Sequence, residues 1–388
     1  MKTSTYDAIV VGGGPAGASA AYEIAAAGRT VLVLERERFP RYKVCGGGLS
    51  ARLDRVIGTV YHETVEASVR GMEFVYRGAE AFSVDADGPL ARFVMRDRFD
   101  AWLADRAAAA GADVRYGEPA IEVREEADSG VHVRTARGAY QARCLVGADG
   151  AHSRLAKRLN PDHALRGVYG LEAEVSGAAA PPRAVLEMGA VPGGYGWVFP
   201  KRRGVSVGVA GFYGAEPRPK QRYHLAMERQ PALREQAIPP PIGHPIPVFT
   251  ATFRVASQRI GLVGDAARLV DPFFGEGIYF GVLSGQHLGR TIGRQLANGA
   301  INLHEYEQWV RNALAPELAV TARLAAIAYG HPRLWYDAMR AHPEVVGWMY
   351  DVLRGESSFR ALWSRLKRHA IRLAPAAVAS RVSSLFMR

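Results

Sequence analysis

A strand, a glycine turn and a helix at the start of this chain restrict its fold more than any other segment. Tyr6-Asp7-Ala8-Ile9-Val10-Val11 reads as an apolar strand, Gly12-Gly13-Gly14-Pro15-Ala16-Gly17 as the turn, and the Ala-rich run beyond it as a helix. A second strand, Thr30 to Leu34, ends in Glu35. Glycine turns are common, and it is the setting that makes this one a dinucleotide fingerprint: strand before, helix after, and an acid about 20 positions on for a ribose hydroxyl. Gly12 allows the tight turn, Gly14 lets the backbone approach a pyrophosphate, and Gly17 lets the helix pack on the strand. Ala16, in the same turn, and Arg36, beside the acid, complete the expected nucleotide contacts.

Two further segments favour FAD over NAD. Cys144 to Gly150 reads as a buried strand ending in Asp149-Gly150, and Arg259 to Ala267 as another ending in Gly264-Asp265. A plain NAD domain does not need the second. The pair resembles the Asp-Gly and Gly-Asp motifs of flavoproteins with the p-hydroxybenzoate hydroxylase type of fold. That resemblance implies that Asp265 holds the ribityl chain of FAD, and it adds Arg98, Asp149, Gly150 and Gly264 to the cofactor contacts. In Asp271-Pro272-Phe273-Phe274-Gly275-Glu276-Gly277-Ile278 the Pro and Gly residues end the strand, and a helix is expected from Glu276 to about Arg290. Pro272, Gly275, Gly277 and Ile278 are expected against the cofactor, because a helix N-terminus aimed at the flavin ring stabilises its reduced form.

Residues 192 to 200, Pro-Gly-Gly-Tyr-Gly-Trp-Val-Phe-Pro, point to the substrate. Read as a strand, Tyr195, Trp197 and Phe199 share one face, while Gly194, Gly196 and Val198 keep the other thin. Two readings fit, an aromatic core face or the apolar wall of a site. Together with Cys45-Gly46-Gly47-Gly48, this stretch resembles the signature pair of the geranylgeranyl reductase family, FAD enzymes that saturate isoprenoid double bonds. The similarity runs from about residue 4 to residue 300. It implies catalytic roles for Cys45, Tyr195 and Trp197 and substrate contacts at Gly193, Gly194, Tyr195, Trp197 and Phe199. Cys45, Gly46 and Gly47 then also touch the cofactor. The proton source stays open between Tyr195, Cys45 and a flavin-bound water, and Cys45 is equally readable as a small apolar filler. A flavin aromatic hydroxylase or halogenase on the same fold is the rival reading, although a halogenase tends to carry Trp-x-Trp-x-Ile-Pro at the aromatic strand. A flavin-free prenyl escort protein is the non-enzymatic alternative, and the intact Gly12 turn and Asp265 argue against it.

These features predict an α/β chain: a Rossmann-like FAD-binding domain, an inserted antiparallel-sheet substrate domain and a C-terminal helical region. The FAD-binding segments are expected at 1–69, 96–165 and 256–300, the substrate-domain segments at 70–95 and 166–255, and the helical region at 301–388. Strands over Arg70 to Arg77, Ala81 to Asp85 and Ala91 to Val94 should join those of 165–255 in one antiparallel sheet, and Asp97 to Ala110 should return the chain as a helix buried through Phe99, Leu103 and Ala107. No second glycine fingerprint marks an NAD(P)H domain, so NADPH or a reduced ferredoxin-type protein is expected as a transient donor.

Composition narrows the partners. At 388 residues and 48% hydrophobic the chain can bury a large core, and its net charge of +11 suits nucleic acid, an anionic membrane or a phosphorylated substrate. No nucleic-acid-binding signature accompanies that charge, so a prenyl small molecule or lipid is the expected partner. Two cysteines, no metal-ligand pattern and a first strand at residue 6 predict a cytoplasmic protein with no metal site, signal peptide or spanning helix. Near the C-terminus Phe359, Leu362, Trp363, Leu366, Ala370 and Leu373 form one face, and residues 360 to 388 hold seven Lys or Arg and no acid. That is either a basic interfacial anchor on the cytoplasmic face of an anionic membrane or a helix packed on the body.

Overall fold

In a computed structural model, residues 4–126, 129–162, 168–212 and 218–373 are described. The N-terminal pattern folds as read. Ser4–Val11 lies at the centre of a seven-stranded sheet, parallel to Val31–Glu35 on one side and to Ala139–Gly147 on the other. Asp113–Tyr116 adds a parallel edge, Ile260–Leu262 pairs parallel with the far end of Ala139–Gly147, and two antiparallel strands, Gly130–Arg134 and Glu122–Glu126, complete the sheet. The run Val31–Glu35, apolar up to its last residue, is buried along its whole length, as a central parallel strand must be. The helices Pro15–Ala26 and Gly277–Ala297 pack on one another so closely that a Cβ at Gly285 would lie 2.1 Å from the carbonyl oxygen of Ala16. Backbones can approach that far only where both helices present small residues.

The second sheet also has seven strands, in the order Ile242–Pro245, Val168–Ser176, Gly204–Phe212, Tyr195–Lys201, Ala184–Met188, Gly71–Tyr76 and Glu80–Asp85. One face packs Val198, Val205, Val207 and Val209 against Tyr223 and Met227 of the helix Pro219–Glu228. The other face looks back toward the first sheet.

Two details differ from the sequence reading. Ala184–Met188 runs parallel, not antiparallel, to Gly71–Tyr76. Ala91–Val94 does not join this sheet, because both of its edges are occupied, by Gly48–Ser50 and by Val65–Val69, in a small sheet of its own. That small sheet holds the Cys45 loop: the Val94 amide donates to the Gly47 carbonyl at 3.0 Å.

Beyond the helix 277–297 the chain is helical, with Ala315–Gly330, Pro332–Ala341, Pro343–Leu353 and Phe359–Leu373 as its main elements. Phe359, Leu362, Trp363 and Leu366 are buried in the main core. The apolar face offered to a bilayer in one of the two sequence readings is therefore packed on the body as far as Leu366. The side chains of Ala370 and Leu373, and residues 374–388, lie outside the described part. No helix among the described residues is long and apolar enough to cross a membrane.

Candidate active site

One cavity of about 660 Å³ runs between the two sheets, from the glycine turn to the aromatic strand and on to the C-terminal helices. At its first end the N-terminus of the helix Pro15–Ala26 opens on the space, with Gly14, Pro15 and Ala16 lining it. Gly12 has a φ of +105° and a Cβ there would lie 2.2 Å from the Ala148 carbonyl oxygen, whereas a Cβ at Gly14 would meet nothing within 4 Å. The opening beside Gly14 is thus shaped for something other than protein. Glu35 and Arg36 line the same end, and Glu35 accepts from the Gly13 amide at 2.6 Å. Asp149 and Gly150 follow, with Asp149 accepting from the Ser153 hydroxyl and the Arg154 amide. Burial pushes its carboxyl up and these bonds hold it down.

Gly264 and Asp265 come next along the cavity, then Pro272, Gly275, Gly277 and Ile278 at the start of the helix 277–297. Burial raises the Asp265 carboxyl, and Lys43 and Arg96 oppose the rise. Ala16 and Gly17 stand on opposite sides of this construction. Ala16 lines the cavity, and Gly17 is buried beneath it, where a Cβ would be 1.9 Å from the Gly12 carbonyl oxygen.

Arg98, expected among the cofactor contacts, is a correction. The helix begins at Arg96, one residue earlier than the pattern suggested, and residues two apart sit about 200° from one another around a helix. Arg98 therefore faces outward and pairs with Glu66 at 2.7 Å, while Arg96 lines the cavity. Arg96 is bonded to Asp100 at 2.8 and 2.9 Å and has Cys45 beside it. Burial works against the guanidinium charge, and Asp100 and Cys45 outweigh it.

The two segments singled out for their chemistry meet. Tyr195, Trp197 and Phe199 all face the cavity, with Trp197 and Phe199 stacked at 5.9 Å. The Cys45 loop lies directly on them: a Cβ at Gly46 would come within 2.8 Å of the Phe199 ring and 3.0 Å of Trp197 Nε1. Gly193 and Gly194 line the cavity at the start of that strand, and a Cβ at Gly194 would strike the Ala210 carbonyl oxygen at 1.8 Å. The Tyr195 hydroxyl donates to the Phe274 carbonyl at 3.2 Å, and its ring stacks on Tyr329 at 5.7 Å.

The far end of the cavity is apolar and largely absent from the sequence reading. Met72, Phe74, Leu186 and Met188 come from the sheet, and Trp335, Met339, Met349 and Leu353 from the C-terminal helices. The opposite edge of the aromatic wall is polar. Glu172 lines the cavity there, accepting from Tyr42 at 2.6 Å and from Ser206 at 3.2 Å, while Lys43 and His244 are joined at 2.7 Å. Burial brings Lys43 down to about 8 and His244 down to about 4. Glu172 and Glu174 alternate with Leu171, Ala173 and Val175 and so read as the wet face of an ordinary strand. In the structure that face is the cavity.

Residues 5–315 match the model of the FAD binding domain family. A digeranylgeranylglycerophospholipid reductase of Methanopyrus kandleri is 33% identical over 320 residues, covering 74% of this chain and 80% of that protein. A geranylgeranyl diphosphate reductase of Rhodobacter capsulatus is 30% identical over 313 residues, covering 76% of each. The chain belongs to the geranylgeranyl reductase family. Within the solved structures, a geranylgeranyl bacteriochlorophyll reductase-like protein from Thermoplasma acidophilum superposes with a TM-score of 0.75 at 25% identity, covering 84% of this chain and 88% of that one. A flavin-dependent brominase reaches a TM-score of 0.71 at 18% identity over 91% and 94% of the two chains, a likeness of fold alone. The fold is the FAD-binding α/β type of the p-hydroxybenzoate hydroxylase group, and membership of this reductase family makes the protein a flavin-dependent oxidoreductase.

Proposed function

We propose that the protein saturates C=C bonds of an isoprenoid chain of geranylgeranyl type. The observation that carries this reading is the continuity of one cavity from the Gly14 opening, past Asp265, to rings that the Cys45 loop touches. Gly12, Gly14, Ala16, Glu35, Arg36, Asp149 and Gly150 would hold the nucleotide part of FAD. Gly264, Asp265, Pro272, Gly275, Gly277 and Ile278 would hold its ribityl and ring parts, with Cys45, Gly46 and Gly47 on the opposite side. When bound, reduced FAD supplies hydride, and NADPH or a reduced ferredoxin-type protein is its proposed electron source.

A trisubstituted alkene is electron-rich and accepts hydride at one carbon only as a proton reaches the other. Tyr195 and Trp197 tolerate the cationic character that develops, through their ring quadrupoles, and together with Phe199 they keep out the water that would trap it. The apolar end beyond them has room and lining suited to a prenyl chain. A chain of that kind is taken up from a membrane, and docking there would rest on exposed basic residues such as Lys367 and Arg368 and on residues 374–388. Salt-sensitive flotation with anionic liposomes tests that part.

The central experiment incubates dithionite-reduced holoprotein with geranylgeranyl diphosphate and with a geranylgeranyl ether lipid. Mass spectrometry should find products heavier by one or more hydrogen pairs. Turnover that instead needs chloride or oxygen and an aromatic substrate would replace this reading with the halogenase or hydroxylase one.

A further inference from the structure

The reaction proposed above consumes one proton for every hydride, and the structure offers an entry for it at the polar edge of the aromatic wall. Three neighbouring strands place Glu172, Gly208 and Trp197 in one row on the cavity face, by the pairings Glu172↔Gly208 and Trp197↔Gly208. Gly208 has no side chain in the way. A Cβ there would come within 2.2 Å of the Trp197 ring, so the indole lies flat across the glycine and brings its Nε1 edge toward the acid. Trp197 Nε1 approaches Ser206 Oγ at 3.5 Å, and the Ser206 hydroxyl bonds Glu172 at 3.2 Å.

Glu172 itself is 1% exposed, an uncommon setting for a carboxyl without an arginine or lysine bonded to it. Its other oxygen accepts from Tyr42 at 2.6 Å, and Tyr42 is 48% exposed. A hydroxyl both accepts and donates, so Tyr42 joins solvent to the buried acid in one step.

We infer that Glu172 is the proton donor for the alkene, refilled from bulk water through the Tyr42 hydroxyl. This rests on the reading of the protein as a prenyl reductase. In the step, the C=C π bond breaks, one carbon gains the hydride from the reduced cofactor, and the other gains the proton that leaves Glu172. The carboxylate left behind takes a proton from water through Tyr42, and no further reductant or oxidant is required.

The surroundings keep Glu172 supplied with its proton near neutrality. Burial pushes its carboxyl up to about 7, Glu174 adds to the rise, and the bonds from Tyr42 and Ser206 and the charge of Lys201 oppose it. Tyr223 of the helix 219–228 lies behind it, on the opposite face of the sheet, and His244 and Lys43 stand across Gly170 on the neighbouring edge. Tyr195 is the weaker donor. Its hydroxyl is committed to the Phe274 carbonyl, and burial raises it well above an ordinary phenol. Cys45 lies beside the Arg96 guanidinium, and its sulfur accepts from the Gly47 amide at 3.4 Å.

The test uses full-length holoprotein, its flavin reduced by dithionite and then mixed with geranylgeranyl diphosphate from pH 5.5 to 9, a range spanning roughly the neutral window of a raised carboxyl. In the wild type, flavin reoxidation by the prenyl compound should fall tenfold per pH unit above about 7, as the donor loses its proton. Glu172→Gln should slow that step at least tenfold at pH 6 and flatten the profile, while dithionite reduction of the flavin is unchanged. Glu172→Asp should restore part of the rate, and Tyr42→Phe should slow it less than Glu172→Gln does. Independently of activity, the infrared spectrum of the apoprotein should contain a carboxylic C=O band that shifts in D2O, titrates near neutrality and is missing in Glu172→Gln.

An active wild type with an unaltered rate and profile in Glu172→Gln overturns the donor role alone. A wild type that reduces no prenyl compound at any pH overturns the functional reading and the donor role with it. If Glu172→Gln loses FAD, Glu172→Asp and the infrared band decide: a band absent from the wild type counts against the inference.

Discussion

The two ends of the cavity are built on different principles. The end proposed to hold the nucleotide is made chiefly of backbone: the Gly12 turn, the start of the helix 15–26, and the short segments Asp149-Gly150 and Gly264-Asp265, each within a few residues of a strand end. The apolar end is made of side chains brought from far apart, Phe74 from one sheet strand, Leu186 from another, and Trp335, Met339 and Met349 from the last 60 residues. Backbone sites tolerate almost no added atom, because the groups they use cannot rotate away. Side-chain sites tolerate exchange of one apolar residue for another of similar volume. The first end should therefore fail abruptly under substitution and the second by degrees.

Gly17→Ala is the strongest way to break that contrast. Its Cβ would stand 1.9 Å from the Gly12 carbonyl oxygen and 2.9 Å from the Ala148 side chain, so helix and strand must part. Loss of FAD binding and of the cooperative thermal transition is expected. Gly14→Ala adds the same methyl group into open space, so the apoprotein should melt as before while FAD affinity falls about tenfold, roughly 1.4 kcal/mol. Calorimetry of both apoproteins and flavin titration of Gly14→Ala check this. Equal melting of Gly17→Ala and the wild type would remove the distinction between the two kinds of wall.

The junction between the ends comes next in size. Trp197→Ala removes the ring that lies against Gly46 and Gly208 without touching the glycine turn or Asp265. Flavin should be retained and kcat/KM for a prenyl substrate should fall on the order of 100-fold, about 2.7 kcal/mol of lost stabilisation. Retained flavin absorbance with unchanged prenyl turnover would sink the role assigned to this wall.

The same contrast explains what could be read from the sequence. Glycine turns, Asp-Gly and Gly-Asp ends and the alternating Tyr-x-Trp-x-Phe strand are local patterns whose meaning is set within ten residues. The cavity-facing positions among them line one cavity. Arg98 stands two residues from Arg96, about 200° around the helix, and it is Arg96 that faces the cavity, a matter of helix phase that the sequence pattern does not fix. Glu172 was missed because alternation distinguishes two faces of a strand but not water from an internal cavity. Trp335 and Met339 were missed because nothing local distinguishes an apolar helix face that packs on core from one that lines a void. Ala91–Val94 was assigned to the wrong sheet because partner choice between strands is a long-range matter.

A milder effect is expected at the apolar end itself. Trp335→Phe keeps an aromatic side chain at a position packed edge-to-face on Phe273 at 5.9 Å, and enlarges the cavity beside Met339. FAD affinity should be unchanged, and KM should shift by roughly two- to fivefold for a geranylgeranyl chain and less for a farnesyl one, within the 1 kcal/mol typical of a small apolar change. An equal shift for both lengths would show that the C-terminal helices do not read the chain beyond the aromatic wall.

The smallest effect lies at the polar edge and is one of stability. Glu172 has its carboxyl raised from 4.5 to about 7 in the folded protein, chiefly by burial. A raised carboxyl favours folding where it is protonated. Its contribution is complete below the unfolded value and is lost as pH rises through the folded one, so the wild type should lose stability between about 4.5 and 7. The full shift corresponds to at most roughly 3 kcal/mol, a few degrees of melting temperature in a chain of this size. Glu172→Gln cannot titrate and should show a flatter melting temperature across that window, with the two proteins closest at low pH and the variant ahead near pH 7. The opposite sign, a wild type that gains on the variant as pH rises, would mean that Glu172 is ionised and ion-paired in the folded state, and the polar edge would then belong with the fixed charges of Arg96 and Asp100 instead of with the proton supply.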